Sequence, residues 1–486
     1  MIRGTLIAAL LLPLAAAAHA QVPAQPLQQR VEAILQAAGT GPRWGLVVAD
    51  ESGKELIAIN PDQRFIPASN TKMFTTAAAF ATLEDLDQPD AQGGAAVRLE
   101  TYRSGAPDVV LEGHGDARLS SSADCTTDCL ATLADAVAAK TKRIHDVIGD
   151  DSLYAFEGWS QGMSWNNIPT RSGTNISALT VDDNEVAMTV TPGAIGAAPT
   201  LDLLSYYTVD NRAVTVAGDK VDLAYDRAPN GYQVRLLGTI GISAKPELLR
   251  MGVDDPARYA AWRFKALLEA RGVTVAGPID VRHRMPEWSD DGAHRNGAPP
   301  MRPPQQPVLA QLTPPPLYED MVRTNKISQN LHAELFLRRV SLKQGSGSVA
   351  DGLAVVRATL DKAGVPRADY DFSDGSGMSS YNRVAPRGAV IFLRWIAAQP
   401  WGDKWRATLA IGGEQGTLGR RFRGTSLEGK LFAKTGTLNQ SSALSGYMIA
   451  KSGRMLTFSA FANDVPDDVH ATRAIDPALN LIAAEN

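Results

Sequence analysis

The chain has 486 residues, of which 44% are hydrophobic and 21% charged, with a formal net charge of −4. At roughly 100–200 residues per domain, this length predicts two or three domains with ample material for a core. The near-balance of charge points away from nucleic acid, and no long run of like charge marks a tail.

The N-terminus reads as an export signal. In MIRGTLIAALLLPLAAAAHAQ, Arg3 precedes an apolar run that closes on Ala18-His19-Ala20, which predicts cleavage after Ala20. The run is short and interrupted by Pro13, unlike a retained anchor. No Cys follows the cut, and no later apolar stretch is long enough to span a bilayer. The expectation is an exported, periplasmic protein with no transmembrane anchor after cleavage. Export permits a disulfide between Cys125 and Cys129, although so short a loop gains little stability from it; free thiols on one helical turn are the alternative. No His or second Cys pair stands nearby to complete a metal site.

Along the chain, LQQRVEAILQAAG has helical periodicity, and RWGLVVAD and ELIAIN form a hairpin about ESGK. Pro67 then opens an Ala-rich helix, SNTKMFTTAAAFATL. From about 97 to 284 short strands predominate, such as DVVLEG, NEVAMTVTP and YQVRLLGTI. Helical pieces CLATLADAVAAKTK and ARYAAWRFKALLEARG interrupt them. PEWSDDGAHRNGAPPMRPPQQP reads as a linker. Pro314, Pro315 and Pro316 give a rigid entry into the helical LYEDMVRTNKISQNLHAELFLRRV. GKLFAKTGTL, ALSGYMIA and RMLTFSAFAN are three strands, the last two joined by the turn KSGR. Both chain ends thus supply hairpins that one antiparallel sheet could combine. The reading is an α/β (α+β) chain: signal peptide 1–20, a split domain over 24–92 and 308–486, and one or two mostly-β inserted domains with a linker over 93–307.

Three short motifs carry chemistry. Ser69 and Lys72 of PASNTKM lie three apart, so a helix places both on one face. A serine hydroxyl needs an adjacent base, and burial would lower the Lys72 pKa enough to supply one. Ser69 at a helix start also has an N–H free for an oxyanion. This is the only Ser-x-x-Lys in the chain; alone it reads equally as a helix cap beside a solvated lysine. Ser328 and Asn330 of NKISQNLHAELF could relay a proton and orient a substrate, or simply start an amphipathic helix. Lys434, Thr435, Gly436 and Thr437 fall on a predicted strand. There Lys434 could bind a carboxylate or repel a proton from Lys72, and Gly436 could clear space for a substrate backbone.

Ser-x-x-Lys, Ser-x-Asn and Lys-Thr-Gly in this order are the motif set of serine penicillin-interacting enzymes. With DGSGMSSYN, GGEQGTLGRRF, SALTVDDNEV and the long gap from Lys72 to Ser328, the chain resembles the class C low-molecular-mass penicillin-binding proteins, the D-alanyl-D-alanine carboxypeptidase/endopeptidase family. The resemblance implies a transpeptidase/β-lactamase-like domain, a central antiparallel sheet flanked by helices, carrying a large insertion. It implies Ser69 as acylated nucleophile, Lys72 as base, and Ser328 and Asn330 as proton shuttle and substrate guide. Lys434, helped by Thr435, would hold the terminal carboxylate, and the N–H groups of Ser69 and Thr437 would polarise the scissile carbonyl. Substrates would be peptidoglycan stem peptides and cross-links, with β-lactams as inhibitors and no metal or organic cofactor; whether the chain forms a homo-oligomer is left open. Departures are Gln329, where Asp is frequent and whose side chain is expected to point away, and Ser380, where Arg is frequent, with Arg383 later. Ala155 stands near a position where relatives can carry Asp, with Glu157 close by, so stem-peptide preference stays open.

Competing readings are fewer. GWSQG matches a nucleophile elbow centred on Ser160, but DSLYAFE is weak as a central strand and no helix follows. A β-lactamase on the same fold is disfavoured by the long insertion. A non-catalytic wall-binding scaffold would predict a broken motif set. Trp159 and Trp165 read as partly buried core or interdomain residues, with stacking on sugar rings of the wall as the alternative, and His332 as a helix-surface residue.

Overall fold

A computed structural model describes residues 25–101, 105–299, 306–343 and 345–486. The expected export signal, residues 1–20, and its expected cleavage site lie outside the described residues.

The two chain ends build one antiparallel six-stranded sheet, in the order Ala410–Ile411, Leu431–Leu438, Ser441–Ile449, Met455–Asn463, Arg43–Ala49, Glu55–Ile59. The joint between the ends is the pairing of Arg43–Ala49 with Met455–Asn463, with Val47 opposite Ser459. Side chains alternate across the sheet. Leu444, Phe458 and Ala460 pack under the helices Leu27–Gln36 and Thr472–Glu485. Ala443, Tyr447 and Phe461 face the opposite core with Phe74 and Phe392. Because both faces are covered, the strands read as nearly unbroken apolar runs.

On that second face lies the helix Thr71–Thr82, buried along most of its length. Ala77, Ala78 and Ala79 have no bulk to hold neighbours off, so elements pack closely round it. The helix Asn330–Ser341 packs against it, bringing the start of one helix beside the start of the other.

The segment between these parts holds a five-stranded mixed sheet, in the order Ile279–Arg284, Val147–Ala155, Asp108–Glu112, Ala96–Glu100, Ala310–Gln311. Smaller sheets lie within residues 185–252, and the helices Leu130–Lys140 and Pro256–Glu269 share one core with all of these strands. Chain entry and exit are adjacent, with Val97 paired to Ala310. The strand Val147–Ala155 is more central than its composition suggests, pairing on both sides. Its buried Asp151 is accommodated because His283 Nδ1 lies 2.8 Å away and Ser177 Oγ donates at 2.8 Å. Cys125 and Cys129 are joined in a disulfide. No helix among the described residues is long and apolar enough to cross a membrane.

Candidate active site

Ser69 occupies a single 3₁₀ turn, Ala68–Asn70, that leads into Thr71–Thr82. Ala68 adopts φ +47° and the Thr71 hydroxyl donates back to its carbonyl at 2.9 Å, which fixes the turn. Lys72 follows one turn later and is fully buried. Its Nζ has three partners: Ser69 Oγ at 2.9 Å, Asn330 Oδ1 at 2.6 Å and the Ser376 carbonyl at 2.5 Å. The Asn330 amide is oriented by its other end, where Nδ2 donates to the Ser172 carbonyl at 2.9 Å. Two of the three partners of Lys72 are therefore obligate acceptors. When the amine is neutral its two N–H bonds go to them, and the lone pair faces Ser69. Burial pushes the Lys72 pKa down to about 7, opposed by the charges of Asp374 and Glu334. An ordinary lysine would be neutral in only about one molecule in 10³ at pH 7; here a large share is ready to accept a proton.

The second and third motifs meet beside this pair. Ser328 stands at φ +64°, just before the helix Asn330–Ser341. Gln329 turns away, its side-chain oxygen capping that helix at Leu331 N, 3.1 Å. Lys434 is fully buried on the strand Leu431–Leu438 and donates to Ser328 Oγ and to the Thr435 carbonyl, both at 2.8 Å. Burial and the nearby Lys72 charge hold its pKa well below the usual lysine value. Thr435 Oγ1 donates to Thr417 Oγ1 at 2.8 Å, and Thr437 is exposed at the strand end. Asn70 Nδ2 donates to the Lys434 carbonyl at 2.9 Å, tying the Ser69 turn to the strand. Two contact groups, Ser69–Lys72–Asn330 and Ser328–Lys434, thus lie side by side, tied through Asn70. Gly436 serves a different neighbour from the one its sequence suggested. A Cβ there would lie 2.6 Å from the Pro67 carbonyl, so the glycine admits the Ser69 turn itself.

Residues outside the motifs frame the site. Asp374 accepts from Gly377 N, Ser379 N, Asn382 Nδ2 and Ser160 Oγ, at 2.9, 2.6, 2.6 and 3.1 Å. Ser160 is accordingly a brace on this loop, and a 3₁₀ turn, Trp165–Asn167, follows where a nucleophile elbow would need a helix. A narrow cleft opens here, lined by Trp159, Ser160, Ser172, Asn330, Glu334 and Met378 among others. Three sequence expectations need correction or completion. Trp165 is 69% exposed and not part of a core. His332 is buried, because Asp183 of the inserted region lies 3.0 Å from its Nε2 and closes over the helix. Glu157 lines the cleft, but its carboxylate is engaged by Arg338 Nη1 and Val349 N, both at 2.8 Å. Glu334 and the Ser172 carbonyl escaped the sequence reading. A glutamate on an amphipathic helix looks solvated, and a backbone carbonyl leaves no signal in residue type.

A family model described as "D-Ala-D-Ala carboxypeptidase 3 (S13) family" matches residues 27–486. The chain belongs to that family. It is 33% identical over 455 residues to a D-alanyl-D-alanine carboxypeptidase of Actinomadura sp. (strain R39), covering 90% of this chain and 81% of that protein. It is 24% identical to the D-alanyl-D-alanine carboxypeptidase DacB of Haemophilus influenzae, covering 87% and 86%. In fold it is similar to penicillin binding protein 4 from Haemophilus influenzae, with a TM-score of 0.76 at 22% identity over 93% of this chain and 98% of that one.

Within this S13 chain, Gly377 marks where the loop 374–382 touches the Ser69 turn. It stands at φ +88°, and a Cβ would fall 1.9 Å from the Ala68 carbonyl. Gly377→Ala is expected to destabilise the fold by about 3 kcal/mol, from left-handed strain together with displacement of the Ser69 turn. Thermal melting checks the first effect and the rate of β-lactam acylation the second; a variant matching wild type in both would contradict this packing.

Proposed function

We propose that this chain is a serine D-alanyl-D-alanine carboxypeptidase/endopeptidase that acts on peptidoglycan stem peptides and cross-links through an acyl-Ser69 intermediate. The observation that carries the reading is the Lys72 amine, held by two fixed acceptors with its third direction on Ser69 Oγ, 2.9 Å away. Lys72 takes the Ser69 proton as Oγ attacks the carbonyl carbon of the scissile peptide bond. The oxyanion is received by the N–H groups of Ser69 and Thr437. The proton passes by way of Ser328 to the leaving nitrogen, the C–N bond breaks and the terminal D-alanine or cross-linked amine departs. Water then cleaves the Ser69 ester by the reverse proton path. Lys434 and Thr435 hold the substrate's terminal carboxylate, and Asn330 orients both Lys72 and the substrate. A β-lactam ring opens by the same attack, but its leaving nitrogen stays tethered, so the ester persists. The N-terminal sequence supports export to the periplasm, where such substrates occur.

The test is release of free D-alanine from a peptide ending in D-Ala-D-Ala, and separation of a cross-linked peptide dimer, each with and without prior benzylpenicillin. The reading expects turnover of at least one substrate, abolished by the drug. Failure to act on either would overturn it.

A further inference from the structure

We propose that Glu334 is a positioning residue for Lys72: its carboxylate holds the two peptide groups that lead into the carbonyl bound by Lys72, and its negative charge helps set the pH at which Lys72 becomes a base. The inference rests on the reading of Lys72 as the proton acceptor.

Glu334 lies four residues beyond Asn330 on one helix, so both side chains share the face that looks toward Lys72. It is buried, and a single oxygen, Oε1, accepts from Gly375 N at 3.0 Å and Ser376 N at 2.8 Å. These two bonds fix consecutive peptide groups. The Gly375 carbonyl, in the second of them, accepts from Thr75 Oγ1 at 2.8 Å; the Ser376 carbonyl, in the next peptide group along, whose Gly377 N donates to Asp374 at 2.9 Å, accepts from Lys72 Nζ at 2.5 Å. Helix Thr71–Thr82, helix Asn330–Ser341 and the loop 374–382 are thereby locked together through one carboxylate.

Geometry alone would not require an acid. A glutamine oxygen could accept the same two N–H groups without the cost of burying a charge. The charge becomes useful because of what surrounds Lys72. Burial disfavours a cation there, and transfer of the Ser69 proton must create one. Facing Lys72 are Asp374 from the loop, Glu334 from its helix and Lys434 from the strand; facing Glu334 are Asp374, Lys72 and Arg338. Asp374 spends its oxygens on loop donors, and Arg338 is engaged by Glu157. Asp374 holds the peptide group of that carbonyl through Gly377 N and Glu334 holds the one before it, so both acids couple the charge balance of Lys72 to the carbonyl that binds it, Glu334 from the helix that also carries Asn330. Burial and the Asp374 charge raise its own pKa, opposed by its hydrogen bonds from the loop and by the Arg338 charge.

The sign follows. Removing the Glu334 charge removes one of the influences that raise the Lys72 pKa, so Lys72 becomes neutral at lower pH. The experiment measures the second-order rate of acylation by benzylpenicillin against pH for the full chain, Glu334→Gln and Glu334→Asp, with a thermal melt of each. For Glu334→Gln, the rising limb of the profile should move down by roughly 0.5–1 pH unit, with the plateau retained within about 3-fold. For Glu334→Asp, the charge stays but reach is lost, so the limb should stay and the plateau fall by about 10-fold. A Glu334→Gln limb at the wild-type position overturns the proposal. If Glu334→Gln does not fold, Glu334→Asp decides: a shifted limb or an unchanged plateau overturns it. A wild-type protein that is never acylated refutes the Lys72 reading instead, which separates the two failures.

Discussion

Lys72→Met is expected to lower the rate of acylation by about 10³-fold, within the range general-base catalysis supplies. Methionine keeps most of the side-chain volume in the fully buried site, so the loss reports chemistry more than packing. The wild-type rate should rise with pH through about 7 and level off above it, because only the neutral amine accepts the Ser69 proton and the Lys72 pKa is lowered to that range. In Lys72→Met the limb belonging to this group should vanish with the rate. Stopped-flow acylation by a chromogenic β-lactam between mildly acidic and mildly basic pH checks both statements. A variant that kept the wild-type rate would remove the base from the mechanism.

Lys434→Gln is expected to lower kcat/KM by about 10²-fold for peptides with a free terminal carboxylate, the size of a lost charge-assisted contact in a buried site. Glutamine can still donate to Ser328 Oγ, which Lys434 reaches at 2.8 Å, so the Ser328 hydroxyl keeps a partner. The loss should fall mainly on substrates that bring the carboxylate. An otherwise identical peptide amide should be turned over slowly by both proteins, with much less difference between them. Equal losses on acid and amide would show that Lys434 acts on Ser328 or Lys72 and not on the substrate terminus.

The sheet was legible because its ends are simple hairpins, RWGLVVAD-ESGK-ELIAIN and ALSGYMIA-KSGR-MLTFSAFAN, and the apolar runs left few ways to arrange them. Ser69 and Lys72 were legible because helical spacing alone puts them together. Ser328, Asn330 and Lys434 needed the order of motifs, since sequence distance says nothing of a contact such as Lys434 with Ser328. Other features depended on tertiary packing. The helix Asn330–Ser341 has a polar pattern suited to water, yet residues from two sides cover it, which buries both His332 and Glu334. Gly436 was marked as clearing space and Gly377 carried no reading, and only the fold shows that each makes room for the Ser69 turn. Ser160 carried the pattern of a nucleophile and serves instead to brace Asp374, because the chain on either side lacks a strand-to-helix turn.

The central claim is that Ser69 is the atom acylated. Intact-mass spectrometry after brief exposure to benzylpenicillin, beside Ser69→Ala, tests it most directly. The account predicts a stable gain of one drug mass on the wild-type chain and none on the variant. An adduct that persists in Ser69→Ala, or none on a folded wild-type chain with the drug intact, would contradict it.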